Sequence, residues 1–179
     1  STAAETTTSG PAQGSVDVIQ FEQLWNDFRA GWNEPAPDED SRQCELLAWS
    51  IGRCGDELTT GHHFSTESDD WTIAVEVEAH DTSVELLLIG LCNKPPQGGG
   101  LTKQVTALQK IAGEHRIVVA RSAEFPKTAR SKIALQLGEL VGRGGRKVLV
   151  EDSDWRLMGA FREFHDQSSS RIGFDDWLH

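Results

Sequence analysis

Apolar residues recur at helical spacing in five stretches of the chain. In the first, VIQFEQLWNDFRAGW, the large apolar side chains fall on roughly one face of a helix, which predicts an amphipathic helix over residues 18–32. The same criterion predicts further helices over the following ranges: 42–54, 101–114, 129–142 and 154–165.

Four other stretches have the patterns of strands. WTIAVEVEA at 71–79 alternates apolar and polar positions, whereas VELLLIGLC at 84–92 is almost continuously apolar. The polar turn between them predicts a β-hairpin whose second strand is buried on both faces. Short apolar runs at 116–121 and 147–151 predict two more strands. Residues 55–70 show no period, and we expect them to be irregular.

This order of elements predicts an α/β fold. Strands that alternate with helices are joined by right-handed crossovers and pair in parallel, and the early hairpin makes the sheet mixed. We therefore expect a single-domain, mixed and mostly parallel sheet of about four strands, flanked by helices and preceded by an N-terminal helical segment. The expected parts are a disordered leader or linker, a helical segment packing on the core, the α/β core and a C-terminal tail, over 1–15, 16–54, 55–167 and 168–179.

Composition limits the cellular locations in which the protein is expected. No apolar run of the 179 residues approaches the ~20 that span a bilayer, so we expect no membrane partner. The first fifteen residues lack the basic and apolar regions of a secretory signal. Three cysteines without an export signal predict reduced thiols and a cytoplasmic location. The linker-like start predicts that the chain is part of a larger protein assembly.

Charge is distributed unevenly along a chain of net charge −11. Residues 1–93 carry −15, residues 94–147 carry +8 and residues 148–179 carry −4. Many basic residues of segment 94–147 lie near loops that follow predicted parallel strands, where open α/β sheets bind ligands. Phosphate is the natural counter-ion of such residues. The alternative is that these basic residues pair with the acidic residues of segment 1–93. The predicted ligand-binding residues are Lys94, Lys103, Arg121, Lys127, Arg130 and Lys132.

The loop NKPPQGGG, residues 93–100, lies between a strand and a helix, as phosphate-binding loops do. The pattern GxxxxGK[ST] is absent, and so is GxGxxG. The sequence therefore does not predict ATP hydrolysis, and a flexible surface loop is the alternative interpretation.

The order helix, antiparallel strands, helix, strand, helix, strand over about 45–165 resembles the restriction-endonuclease-like (PD-(D/E)XK) fold. In that family a carboxylate and an ExK motif on adjacent strands hold Mg²⁺ for phosphodiester hydrolysis. Here Glu76-Val77-Glu78 has Glu where Lys belongs, and Gly90-Leu91-Cys92 carries no charge. The resemblance thus implies a catalytically degenerate relative that keeps the scaffold for binding, of the kind attached to bacterial nucleic-acid and phage-defence ATPases.

The C-terminal tail combines acids with large apolar residues after a serine run. Such a segment can dock in a partner's groove, which makes Phe174, Trp177 and Leu178 candidate partner-binding residues. A strap that packs on the protein's own surface is the alternative.

These patterns favour a non-enzymatic interaction or regulatory domain that binds nucleic acid, a phosphorylated ligand or a protein partner and needs no cofactor. The alternative is a metal-dependent nuclease or phosphohydrolase, with Mg²⁺ held by a non-standard carboxylate site. Its catalytic residues would be Asp69, Asp70, Glu76 and Glu78.

Overall fold

The computed structural model describes residues 13–58 and 60–179. It divides the described residues into two compact units, one of residues 34–159 and one that combines 13–33 with 160–179. Residues 1–12 of the predicted leader, 1–15, lie outside the described residues. Residues 13–15 belong to the first helix.

The described residues form six α-helices and five strands. The helices are α1 (Gln13–Gly31), α2 (Asp40–Glu57), α3 (Gly100–Ile111), α4 (Lys132–Gly142), α5 (Asp152–Ser168) and α6 (Phe174–Leu178). The strands are β1 (His63–Ser68), β2 (Thr72–Glu78), β3 (Val84–Leu91), β4 (Arg116–Arg121) and β5 (Arg146–Leu149). The predicted hairpin and both later strands are confirmed to within two residues.

The unit of residues 34–159 is built on one sheet with the strand order β1-β2-β3-β4-β5. The pairs β1–β2 and β2–β3 are antiparallel, whereas β3–β4 and β4–β5 are parallel. A mixed α/β sheet is therefore confirmed. The expectation of about four strands, mostly parallel, is wrong because β1 adds a second antiparallel pair.

β1 escaped the sequence analysis because it lies at the edge of the sheet. In HFSTES only Phe64 is a large apolar residue, and most of the strand's side chains are exposed. An edge strand of this kind buries too little apolar surface to leave a hydrophobic pattern. Its pairing with β2, from His63 opposite Glu78 to Ser68 opposite Ile73, is what defines it.

Helices cover both faces of this sheet. One face packs against α2 and the start of α5, with Cys44, Ile73, Leu91 and Trp155 buried between them. The other face packs against α3 and α4 through a second buried cluster: Leu88, Cys92, Leu101, Val105, Leu108, Ala112, Val119, Ile133, Leu137 and Leu140. β3 contributes to both clusters, so its second half is buried on both faces. The expectation that the whole strand is buried is wrong for its start, because Val84 and Glu85 are exposed.

The second unit is an aromatic cluster. α1 contacts α6, and Phe21, Phe164 and Phe174 are buried together. The expected division of the chain differs here, because α1 groups with residues 160–179 while α2 belongs to the α/β unit. The tail is ordered because its aromatic side chains bury against those of α1.

Within the described residues, the structure contains no helix whose length and apolar character would allow it to span a bilayer.

Alanine substitutions at two glycines test the packing of the α/β unit. A Cβ at Gly90 would lie 2.6 Å from Leu108 Cδ2, so Gly90→Ala should overpack the core and lower the free energy of unfolding by about 1–3 kcal/mol. A Cβ at Gly138, inside α4, would meet no atom within 4 Å, so Gly138→Ala should raise that free energy by about 0.5–1 kcal/mol. Urea unfolding of both variants measures the difference. A neutral Gly90→Ala would contradict the close approach of β3 to α3.

Candidate functional site

The parallel strands β3, β4 and β5 end at one edge of the sheet, the carboxyl edge, where β2 begins. The Leu91 N–H at the end of β3 donates to the Trp71 carbonyl, 2.8 Å away, and joins the two strands there. In open α/β sheets this edge carries the loops that bind ligands.

Arg121, the last residue of β4, anchors the carboxyl edge. Its side chain is 1% exposed, and Nη1 donates to the carbonyls of Cys92 and Lys94, the latter at 3.1 Å. Nε donates to the Ala123 carbonyl at 3.1 Å, and the guanidinium lies over the Phe125 ring. Burial lowers the pKa of Arg121. The structure gives this predicted ligand-binding residue a structural role, because Nε and Nη1 of its buried side chain hold the backbone of the loops after β3 and β4.

A second network joins four elements at the same edge. Asn93 Nδ2 donates to the Asp40 and Gln43 side chains at 2.9 Å each, while Asn93 Oδ1 accepts from the Ser122 N–H at 2.8 Å. The Ser122 hydroxyl lies 3.3 Å from Gln43 Oε1 and accepts from Trp155 Nε1 at 3.0 Å. The start of α2, both loops and α5 are therefore held together by polar side chains.

Gln104 of α3 positions the loop after β3. It is 8% exposed, accepts from the Lys94 N–H at 3.0 Å and donates to the Leu91 carbonyl at 3.3 Å. The backbone of Lys94 is thus held by Gln104 on its N–H and by Arg121 on its carbonyl, while its side chain is exposed.

A cleft of about 710 Å³ opens at this edge beside β2 and α3. Its lining brings together two lysines, three carboxylates, one indole and three uncharged residues: Glu39, Asp40, Ser41, Asp70, Trp71, Lys94, Lys103, Gln104 and Ala107. The cleft therefore offers both signs of charge and an aromatic surface within one concavity.

The predicted basic residues occupy different positions around this edge. Lys94 and Lys103 line the cleft. Lys127 forms an ion pair with Glu124 at 2.7 Å, and this hydrogen bond raises the pKa of Lys127 and lowers that of Glu124. Arg130 precedes α4 and Lys132 begins it, and both are exposed.

The alternative carboxylate set is not brought together. Asp69 and Asp70 precede β2, whereas Glu78 ends that strand opposite Val84. At ~3.3 Å per residue, Asp70 and Glu76 are separated by roughly 20 Å along the chain. Among residues 13–58 and 60–179, no three His, Cys, Asp or Glu side chains are grouped so that they could hold a metal ion.

The uncharged segment Gly90-Leu91-Cys92, at the end of β3, lies opposite the start of β2. Gly90 pairs with Thr72 across the β2–β3 ladder, and the side of Gly90 that a Cβ would occupy is filled by Leu108. Cys92 is fully buried, and burial raises the pKa of its thiol to about 12, so the thiol stays protonated at neutral pH. These positions offer neither a carboxylate nor a nucleophile.

The C-terminal candidates are engaged within their own unit. Phe174 is 1% exposed, and its ring lies 5.6 Å from that of Phe21. Trp177 stacks on Phe21 and donates from Nε1 to Glu22 at 3.1 Å. The strap alternative therefore describes Phe174, Trp177 and Leu178 better than a free docking peptide does.

Sequence reasoning missed Trp71 and the amides of Gln43, Asn93 and Gln104. The prolines and glycines of residues 93–100 marked the loop, yet no local pattern marks a polar residue whose partners are distant in sequence. The sequence pattern identifies Trp71 only as the first residue of a strand.

Neither a protein-family model nor a curated protein matches this chain.

The anchoring role of Arg121 has a direct test. Arg121→Lys keeps the charge but cannot reach three carbonyls at once, so the variant should lose about 2–4 kcal/mol of unfolding free energy. Arg130→Lys, the same change on an exposed side chain, should stay within about 0.5 kcal/mol of the parent protein. Urea unfolding measures both, and equal stabilities would contradict the anchor.

Proposed function

We propose that this domain is a non-enzymatic binding module that holds a phosphate-bearing polyanion along the carboxyl edge. One observation carries the proposal: parallel pairing of β3 with β4 brings the loops 92–99 and 122–131 to one edge. In the part of the chain that the structure describes, four exposed cations at this edge have no carboxylate within ion-pair distance. They are Lys94, Lys103, Arg130 and Lys132.

Local potential supports the binding of an anion by a protein of net charge −11. The field that a ligand meets is set by the charges within about one Debye length, roughly 8–10 Å, rather than by the whole chain. The acidic segment includes Glu85, but this residue pairs with Arg116, at the opposite end of β4. At the carboxyl edge, three carboxylates line the cleft beside Lys94 and Lys103. Arg130 and Lys132 lie outside that lining and are left to attract phosphate.

The architecture of β3 supports binding rather than catalysis. At the end of β3, opposite the start of β2, lie a glycine packed under Leu108 and then a buried, protonated cysteine. A glutamate at Gly90 would displace Leu108 from the core. The scaffold that supports the edge is therefore compatible with recognition and is not arranged for hydrolysis.

The proposal predicts salt-dependent binding of a single-stranded oligonucleotide. Neutralising Arg130 and Lys132 together, as Arg130→Gln/Lys132→Gln, should weaken affinity for every base sequence by a similar factor. The slope of log affinity against log salt should shallow by about 0.7 for each lost phosphate contact. Fluorescence anisotropy of a labelled oligonucleotide between low and moderate salt measures both effects.

The matched control is Lys110→Gln/Arg143→Gln, which removes the same charge. Lys110 lies in the last turn of α3 and Arg143 follows α4, so both lie at the opposite edge. An equal loss in both double variants would show that net charge alone governs binding. No affinity at low salt in the parent protein would remove the proposal.

A further inference from the structure

Most polar groups that line the cleft already have partners. Asp40 accepts from Asn93 at 2.9 Å, and Glu39 pairs with Arg42 at 3.5 Å. The side-chain amide of Gln104 accepts a hydrogen bond from the Lys94 N–H and donates one to the Leu91 carbonyl. These groups form the wall of the cleft rather than its binding surface.

Three charged groups remain without a partner in the described part of the chain. They are the carboxylate of Asp70 and the ammonium groups of Lys94 and Lys103, all on exposed residues. Trp71, adjacent to Asp70, is partly buried against the core and also lines the cleft. One acceptor, two cations and one aromatic surface are thus available to a ligand in the same concavity.

We propose that this cleft binds one nucleotide of a single-stranded nucleic acid. The base stacks on Trp71, an exocyclic amino group of the base donates to the Asp70 carboxylate, and the flanking phosphates contact Lys94 and Lys103. The inference rests on the proposed function, and it identifies the polyanion.

The carboxylates argue against a ligand made of phosphate alone. Three acidic side chains line the same cleft as the two lysines, so a bare polyphosphate would meet repulsion as well as attraction there. A nucleotide resolves this conflict because its base carries hydrogen-bond donors. Carboxylates accept from the amino group of cytosine, whereas thymine has a carbonyl in that place.

The size of the cleft argues for a single strand. A cleft of about 710 Å³ falls within the range that holds small ligands. A base within a duplex is stacked and paired, so it cannot enter without extrusion from the helix. Bases of a single strand are free to stack on an aromatic side chain, and such grooves commonly combine stacking with cations along the backbone.

Three oligonucleotides of about 12 nucleotides, a length within the range that single-strand grooves cover, separate the contributions. They are oligo(dC), oligo(dT) and an abasic strand with the same number of phosphates, each measured by fluorescence anisotropy at low salt. We expect oligo(dC) to bind about tenfold more tightly than oligo(dT) because of one hydrogen bond to a charged acceptor. Oligo(dT) should in turn bind at least about fivefold more tightly than the abasic strand, because stacking is lost there.

Asp70→Asn assigns the preference to the cleft. It should abolish the advantage of oligo(dC) over oligo(dT) and leave affinity for the abasic strand no weaker. Because the Asp70 carboxylate holds no other group in the described structure, the variant is expected to fold. Glu67→Gln removes the same charge from exposed β1, outside the cleft, and should keep the preference.

Trp71→Leu tests the stacking surface, with urea unfolding as a check on its fold. It should bring oligo(dC) and oligo(dT) close to the affinity of the abasic strand. Should this variant unfold, the Asp70→Asn comparison decides alone.

The outcomes separate this inference from the proposed function. Equal affinity of the parent protein for all three strands, still weakened by Arg130→Gln/Lys132→Gln, would overturn the nucleotide cleft and keep polyanion binding. A preference for oligo(dC) that survives Asp70→Asn would overturn the assignment to this cleft. Absence of binding to every strand would overturn both proposals.

Discussion

A guanidinium group removed from water must be surrounded by acceptors, and the carboxyl edge of this sheet is built around that requirement. Arg121 sits at the end of β4 and donates to three backbone carbonyls. Two of them belong to the loop after β3, so the side chain joins two loops that are separated in sequence by α3 and β4. Removing the anchor would leave the buried Cys92 carbonyl and the part-buried carbonyls of Lys94 and Ala123 without this donor, which couples loop geometry to the stability of the core.

This anchoring gives the cleft a rigid wall. Lys94 is held through its backbone by Arg121 and Gln104, while its ammonium group stays in solvent. The Asn93–Ser122 network adds a second set of contacts behind it. A side chain presented from a held backbone loses less conformational freedom on binding than one on a mobile loop, so the same charge contributes more to affinity.

The edge also shows how an acidic protein can keep a basic surface. The chain carries −11 overall, yet the parallel pairing of its strands brings Lys94, Lys103, Arg130 and Lys132 to one end of the sheet. The predicted cations have different roles in the structure. Arg121 supports the fold, Lys127 is neutralised by Glu124, and the remaining exposed side chains face solvent. Charge count in sequence therefore overstates the surface that is available to a ligand.

Hydrophobic periodicity is a local property, and for that reason the sequence by itself determined most of the elements. The runs at β3 and β4 were long and apolar enough to identify buried strands, and the direction of their pairing followed from the helix between them. From these came the mixed α/β architecture and the loops that carry the basic residues. β1 could not be predicted from periodicity because a half-exposed edge strand leaves no apolar pattern in the sequence.

Only the tertiary structure decided what the polar residues do. The hydroxyl of Ser122 and the amide of Gln43 meet across 79 positions of sequence, and Phe174 is buried against an aromatic ring of α1. The same long-range packing turned Arg121 from a predicted ligand-binding residue into a structural anchor and brought Trp71 to the cleft. A side chain's charge is written in the sequence, but its partner, and hence its freedom to bind, is set by contacts between distant segments.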